Sequence, residues 1–444
     1  MQRRTALKLL GGGFASLALP RALRSAPTAR DDFFIFVHAA GGWDVTLWAD
    51  PRNERRGLVE PASSQNTDVA GIRHWTAATL DAGIQTFEPV VPHGSNMRLG
   101  PAIGDLFEHY DRLAIVNGLA MNTVSHDDGI AFSATGRHRA GGVSPESSID
   151  VLLANELGVD QLMPDVSVSF PSYFVGSKLD RRAIPLRVAT VETISKSLER
   201  SEAFLHSNDH DSIAAALIEE TNALAVGSDA SDSYLQLATQ ERALPQLLRH
   251  DFVEAFTARK LAGSYPQFKF NSREGRAAYG AAFALEAIRR NIVRCVSYGV
   301  GGLDTHNTNY REHAHTLQDL FDSLAALLKT LDETPHPTLQ NTKLSERTHL
   351  LVFSDFCRTP QINLQGGRDH YPNNSALVIS PKFRTSQIYG ATDVEQLLPT
   401  PGKGLVAGSR PIAPPDVLAT FLSAFGVDHR KYMRDGEVMR ALLR

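Results

Sequence analysis

Three short apolar segments of this chain each run into a Gly or Ser turn and then straight into an acid or a histidine. They are FFIFVHAAGGWD (Phe33–Asp44), RCVSYGVGGLDTH (Arg294–His306) and HLLVFSDFCRTP (His349–Pro360), the last followed by GGRDH (Gly366–His370). In open α/β sheets, ligands bind just beyond the carboxyl ends of the strands. Three strand ends that each deliver Asp, or Asp and His, predict one shared polar site built from Asp44, Asp304, His306, Asp355 and His370. The Asp304-x-His306 pair offers one hard oxygen and one imidazole, a mixture that suits zinc, manganese or iron better than calcium.

Each of these residues has a plainer alternative. Asp44 follows Gly41-Gly42-Trp43, where glycines let the backbone turn sharply, and an Asp there also serves to cap a helix. Arg358 and Arg368 flank the acids. They are expected either to bind a phosphate or sulfate group bidentately or to form structural ion pairs. The segment NTVSHDD (Asn122–Asp128) offers Ser125 as a nucleophile and His126 as a ligand, with Thr123 and Ser133 as other hydroxyls; an ordinary loop is the competing reading. His313 and His315 read as the solvated face of a helix. Cys295 and Cys357, the two cysteines of the chain, read as small buried apolar residues rather than a disulfide framework.

The elements that must position these groups alternate between strand and helix patterns. Leu113–Asn117 and Val166–Phe174 read as strands. Ser147–Leu157, Ala314–Leu331 and Pro415–Gly426 read as helices, the last with Asp416 near its positive end. From about residue 191 to 291 the apolar spacing is helical throughout, in Ile213–Leu224, Tyr234–Leu248, Asp251–Leu261 and Arg276–Ile292. Strands separated by helices predict a mostly parallel sheet covered on both faces. The expectation is one α/β/α sandwich over residues 30–444 carrying a helical insertion at about 191–291.

The first 29 residues read as a twin-arginine signal. Arg3-Arg4 precede a short, small-residue apolar run, Gly11–Leu19, which is too short for a membrane span. This predicts a periplasmic or secreted protein with no transmembrane segment in the mature chain. The chain has 444 residues, 42% of them hydrophobic, and a formal net charge of −4, which gives no reason to expect nucleic acid as a partner. No GxGxxG follows the first strand candidate, so a dinucleotide enzyme is not favoured.

GGWD, Ser125-His126, GGLDTH, SDFCRTP and GRDHYP occur in that order after the twin-arginine start. Together they resemble the exported bacterial family known as domain of unknown function number fifteen hundred and one, over essentially the whole mature chain. Members more often carry Glu at the position of Asp355 and Gly at that of Cys357. That family is similar in fold to the alkaline phosphatase and sulfatase superfamily. The resemblance implies a metal role for Asp44, for Asp304 with His306, for Asp355 and for His370. It departs at Phe356, which stands where the superfamily has a metal-binding histidine. That departure leaves open a single metal, recruitment of His126, or no metal. The Cys-x-Pro-x-Arg signature of formylglycine sulfatases is absent. Two readings result: a metal-dependent hydrolase of phosphate or sulfate esters, small or polymeric, using zinc or manganese; or a non-catalytic envelope protein with a degenerate or structural metal site.

Overall fold

The protein is described by a computed structural model. The structure describes residues 28–51, 69–79, 85–176, 178–190, 255–270 and 276–444. The signal segment, the expected helices at 213–224 and 234–248 and the start of that at 251–261 lie outside the described residues.

In chain order the strands are β1 (Phe33–Ala39), β2 (Ala77–Thr79), β3 (Gln85–Phe87), β4 (Leu113–Asn117), β5 (Met163–Val168), β6 (Leu186–Val188), β7 (Val293–Val300), β8 (Thr348–Ser354), β9 (Cys357–Arg358), β10 (His370–Tyr371), β11 (Ser375–Ile379) and β12 (Gln387–Gly390). Eight of them form one sheet in the order β12-β4-β11-β8-β1-β7-β5-β6. Every pairing in it is parallel except those of β11, which runs antiparallel to β4 and β8. The helices are α1 (His126–Thr135), α2 (Ile149–Leu153), α3 (Ala258–Ser264), α4 (Arg276–Arg289), α5 (Asn309–Glu333) and α6 (Pro414–Ala424).

All seven residues of β1 are buried, as a central parallel strand requires. The two-residue period of the strand divides them between two cores. Phe33, Ile35, Val37 and Ala39 join the core that contains Ala281 and Leu285 of α4 and Leu317, Leu320 and Leu324 of α5. Phe34 and Phe36 join the other, under Leu152 of α2 and Leu418 and Phe421 of α6. The architecture is the expected α/β/α sandwich. Within the stretch expected to be an insertion, α4 covers the sheet and helps close a core.

Some boundaries differ from the expected ones. The strand expected at Val166–Phe174 runs over Met163–Val168. The helix expected at Ser147–Leu157 is α-helical only over Ile149–Leu153 and then widens at Ala154–Gly158. The helix α5 begins five residues before the expected Ala314, which places His313 inside it and fully buried. His313 is therefore not on a solvated face, because its position in the helix turns it towards the end of β1.

Candidate metal centre

The strands β1, β7 and β8 are neighbours, so their carboxyl ends lie side by side. Beyond β8, the Asp355 carboxylate is almost fully buried and held by three donors. His38 Nε2 is 2.5 Å from Oδ1, His126 Nδ1 is 2.7 Å from Oδ2, and the Gly41 N–H donates to Oδ2 at 3.2 Å. His126 reaches it because α1 begins there. Gly129, one turn further on, packs against the Asp355 carbonyl, where any Cβ would collide with it, so only glycine lets the helix approach this closely.

The loop after β7 carries Asp304 and His306, and the short β9–β10 hairpin carries Arg358 opposite His370. The two segments are joined by backbone bonds. Arg368 N donates to the Thr305 carbonyl at 3.0 Å, and Asn309 N donates to the Gly366 carbonyl at 2.8 Å.

Three imidazoles meet here with their roles fixed by outer partners. His126 Nδ1 faces Asp355, His306 Nδ1 faces Asp369 Oδ1 at 2.8 Å, and His370 Nδ1 faces the Val124 carbonyl at 2.8 Å. Each partner is an acceptor, so each Nδ1 carries the proton and each Nε2 presents a lone pair. Those lone pairs converge. Asp304 Oδ1 lies 3.4 Å from His126 Nε2, 3.2 Å from His306 Nε2 and 3.5 Å from His370 Nε2, and the last two nitrogens are 3.0 Å apart.

Lone pairs facing one another repel unless a cation or a proton lies among them. Ligands bound tetrahedrally at about 2.0–2.1 Å are separated by about 3.3–3.4 Å, which the separations among Asp304, His306 and His370 and that from Asp304 to His126 bracket. His126 Nε2 is buried with no hydrogen-bond partner. The donor set therefore fits a divalent transition metal, with His126, Asp304 and His370 as the compact triad and His306 adjoining it. It is the one such group among the described residues. Imidazoles whose other nitrogen is hydrogen-bonded to carboxylate or carbonyl have the usual outer arrangement of metal-bound histidines.

The hydrogen bond to Asp355 raises the pKa of His126. Burial alone would raise Asp355, but His38 and His126 outweigh it and hold the carboxyl at about 2. Burial likewise opposes ionisation of Asp304, and the hydrogen bond and charge of Arg358, with His126 and His306, bring its pKa below the usual value. His370 is lowered by burial and by the nearby positive groups. One wall of the cluster is apolar: the buried Phe356 ring lies 4.9 Å from that of His126 and 4.6 Å from that of His370.

The structure gathers His126, Asp304, His306 and His370, and places Asp355 behind His126 as its orienting carboxylate. It does not bring Asp44 to them. The Asp44 carboxylate is fully buried, accepts from Thr46 N, Thr46 Oγ1 and Asn309 Nδ2, and pairs with Arg368 Nε at 2.8 Å. Arg368 is thereby turned inward, with Nη1 on the Thr359 and Pro360 carbonyls. Arg358 donates to the Gly41, Gly42 and Arg368 carbonyls and, at 2.5 Å, to Asp304. Ser125 is exposed at the N-cap of α1, with no capping bond from its side chain. Sequence reasoning missed His38. Its signal was a histidine within an otherwise apolar first strand, at the end where ligands gather.

A family model described as Protein of unknown function (DUF1501) matches residues 32–440, and the chain belongs to that family. No curated protein matches the chain. Among solved structures, it is similar to Ps i-CgsB in complex with k-i-k-neocarrahexaose, at 9% identity and a TM-score of 0.38, over 92% of this chain and 75% of that one. The lipoteichoic acid synthase LtaP from Listeria monocytogenes gives 7% identity and a TM-score of 0.38 over 93% and 74%. Alkaline phosphatase from the Antarctic bacterium TAB5 gives 10% and 0.36 over 90% and 99%. Likenesses this distant carry no argument about chemistry, which rests on the site itself.

Proposed function

We propose that this protein is an exported metal-dependent hydrolase of phosphate or sulfate esters, holding one divalent metal, zinc or manganese, through His126, Asp304, His306 and His370. The observation that carries the proposal is the convergence of three imidazole Nε2 atoms on Asp304 Oδ1, each ring oriented from behind by an acceptor. A metal bound there polarises an ester oxygen and lowers the pKa of a water or hydroxyl. Asp355, Asp369 and the Val124 carbonyl keep the three rings in one tautomer and one direction. Phe356 excludes water from one side, and Arg358 supplies a fixed positive charge beside Asp304. Ser125 is proposed as the nucleophile because it directly precedes His126 and is exposed. Two further points favour one metal over two: Phe356 offers no ligand, and the Asp44 carboxylate is already engaged by Arg368.

A second reading has its own support. Should His306 close on the triad of His126, Asp304 and His370, four protein donors would fill a tetrahedral shell, as in structural metal sites, whereas catalytic sites keep a position open.

The test is metal analysis of the mature protein purified without chelator, beside a His306→Ala/His370→Ala variant, followed by a screen of phosphate and sulfate esters. One equivalent of metal in the parent, lost in the variant, with ester cleavage by the parent alone, is the expected result. Metal without cleavage leaves the structural reading. No metal in either protein, and no uptake of added zinc or manganese, overturns both. The export proposal predicts that Arg3→Lys/Arg4→Lys keeps the uncleaved precursor in the cytoplasm, which immunoblotting of cell fractions reads out.

A further inference from the structure

The four donors of the metal centre are not held alike. Each imidazole is fixed from behind through Nδ1 and cannot turn away without losing that bond. Asp304 is the most exposed of the set, its side chain 53% accessible against 31%, 46% and 25% for His126, His306 and His370. Its Oδ1 lies at the hub of the three Nε2 atoms, and Arg358 Nη2 donates to that same oxygen at 2.5 Å. Arg358 itself does not depend on Asp304 for its position. Its guanidinium is buried and bound to three backbone carbonyls, those of Gly41, Gly42 and Arg368. If Asp304 swings out, three inward-facing imidazole lone pairs and one fixed guanidinium remain around a vacated anionic-oxygen position.

We propose that Asp304 is an exchangeable ligand, and that the position of its Oδ1, between the three imidazoles and Arg358, is the subsite that takes an oxygen of a tetrahedral oxyanion, phosphate or sulfate. The inference rests on the metal-centre reading above. It leaves a position for catalysis even where His306 completes the shell: the protein fills that position itself and gives it up to the substrate anion. An anion entering there would meet both the metal and the charged Nη2–H of Arg358 that Asp304 gives up. The Asp304 carboxylate thus competes with the anion for one place.

The experiment is calorimetric titration of the zinc-loaded protein with inorganic phosphate and with inorganic sulfate, for the parent, Asp304→Ala and the near-isosteric Asp304→Asn. It is accompanied by zinc titration of all three and of His306→Ala. Removing the competing carboxylate is expected to tighten binding of one of the two anions at least 10-fold. Zinc affinity should fall less than 10-fold in the Asp304 variants and more than 100-fold in His306→Ala, more than the 10–100-fold usual for losing an outer partner. The anion that tightens more gives the ester class. The proposal is overturned if both Asp304 variants lose zinc as severely as His306→Ala, or if neither anion binds more tightly to them. In both cases the metal centre itself still stands. If the parent takes up no zinc, the metal reading fails together with the inference.

Discussion

Asp44 and Asp304 arrive by the same local route and end in opposite circumstances. Each is the fourth residue of a Gly-Gly-x-Asp turn, GGWD and GGLD, at the end of adjacent parallel strands, and each pairs with an arginine. Yet Asp44 is fully buried and Asp304 is half exposed. The difference lies in the residues on either side of each acid. Trp43 drives its turn inward: its N–H donates to Ser354 Oγ at 3.0 Å, its indole Nε1–H donates to Asn374 at 2.7 Å, and its ring packs on Trp48. Asp44 follows it under cover, where Thr46, Asn309 and Arg368 satisfy the carboxylate. Asp304 is followed by Thr305, whose carbonyl and hydroxyl are pinned by Arg368, Asn309 and His313 while the acids and histidines on either side stay at the surface. One acid has become part of the foundation and the other part of the site above it.

The comparison breaks most sharply on stability. Removing one partner of a buried ion pair strands the other charge, at a cost of about 3–5 kcal/mol. Asp44→Ala is expected to destabilise the protein by about that much in chemical denaturation. Asp304→Ala removes a half-exposed partner from the buried Arg358, which keeps its three backbone carbonyls, and should cost less than that. Equal losses would remove the distinction between the two aspartates.

The foundation also has an acid limit of its own. His313 Nε2 accepts the Asp44 N–H at 2.7 Å, so its proton is on Nδ1, towards Thr305. Burial lowers its pKa from 6.5 to about 3, only partly opposed by the Asp44 charge. The unfolded chain binds this proton below about pH 6.5 and the folded protein refuses it until about pH 3. The stabilisation is therefore complete above pH 6.5 and is lost as the pH falls between those values, at about 1.4 kcal/mol per pH unit. Denaturation of metal-free protein from pH 7 to 4 is expected to show this contribution beside that of other buried histidines such as His349, and His313→Gln is expected to reduce the slope by about 1.4 kcal/mol per pH unit. An unchanged slope would mean that His313 is not the group refusing the proton.

The link between foundation and site runs through Gly367. Its α-carbon faces the His306–Asn307 peptide so closely that any Cβ would overlap backbone atoms. Gly367→Ala should push the two ligand-bearing loops apart and weaken zinc binding by about 10–100-fold, the cost usual for disturbing the support of a metal ligand. Zinc titration measures it. Parent-like affinity would show that the loops need not touch.

How much of this was legible depends on the kind of information each feature needs. The strand ends carrying Asp304, His306, Asp355 and His370 were visible as apolar runs breaking into Gly, Asp and His, because strand burial and turn chemistry are local. The two-sided sandwich was legible for the same reason. The separate fate of Asp44 was not, since it depends on Arg368, which is 324 positions away in sequence and reaches it only once the β9–β10 hairpin has folded back. His38 was hidden because strand periodicity makes a residue in an apolar run look like core. It is core, and the carboxylate that satisfies it comes from the end of β8, a neighbour only in the folded sheet. His126 was visible as an alternative ligand, but its approach depends on the fit of Gly129 against Asp355, which only packing reveals.

The smallest expected change tests whether Phe356 alone separates this site from a two-metal one. Restoring a histidine there, Phe356→His, puts an imidazole beside His126 and His370 in place of the apolar wall. A second metal needs more than one new ligand, however, and a further strand-end carboxylate, Asp44, is held by Arg368 and three other donors. Releasing it would break the foundation by stranding the buried Arg368 charge, a cost that one added imidazole does not offset. Phe356→His is therefore expected to keep a stoichiometry of one metal per chain and to lose about 1–3 kcal/mol of stability from a buried polar ring without a partner. Elemental analysis decides the matter. Two equivalents in this variant would mean that Asp44 can be drawn out of its ion pair, and that the two Gly-Gly-x-Asp turns are closer to interchangeable than their burial implies.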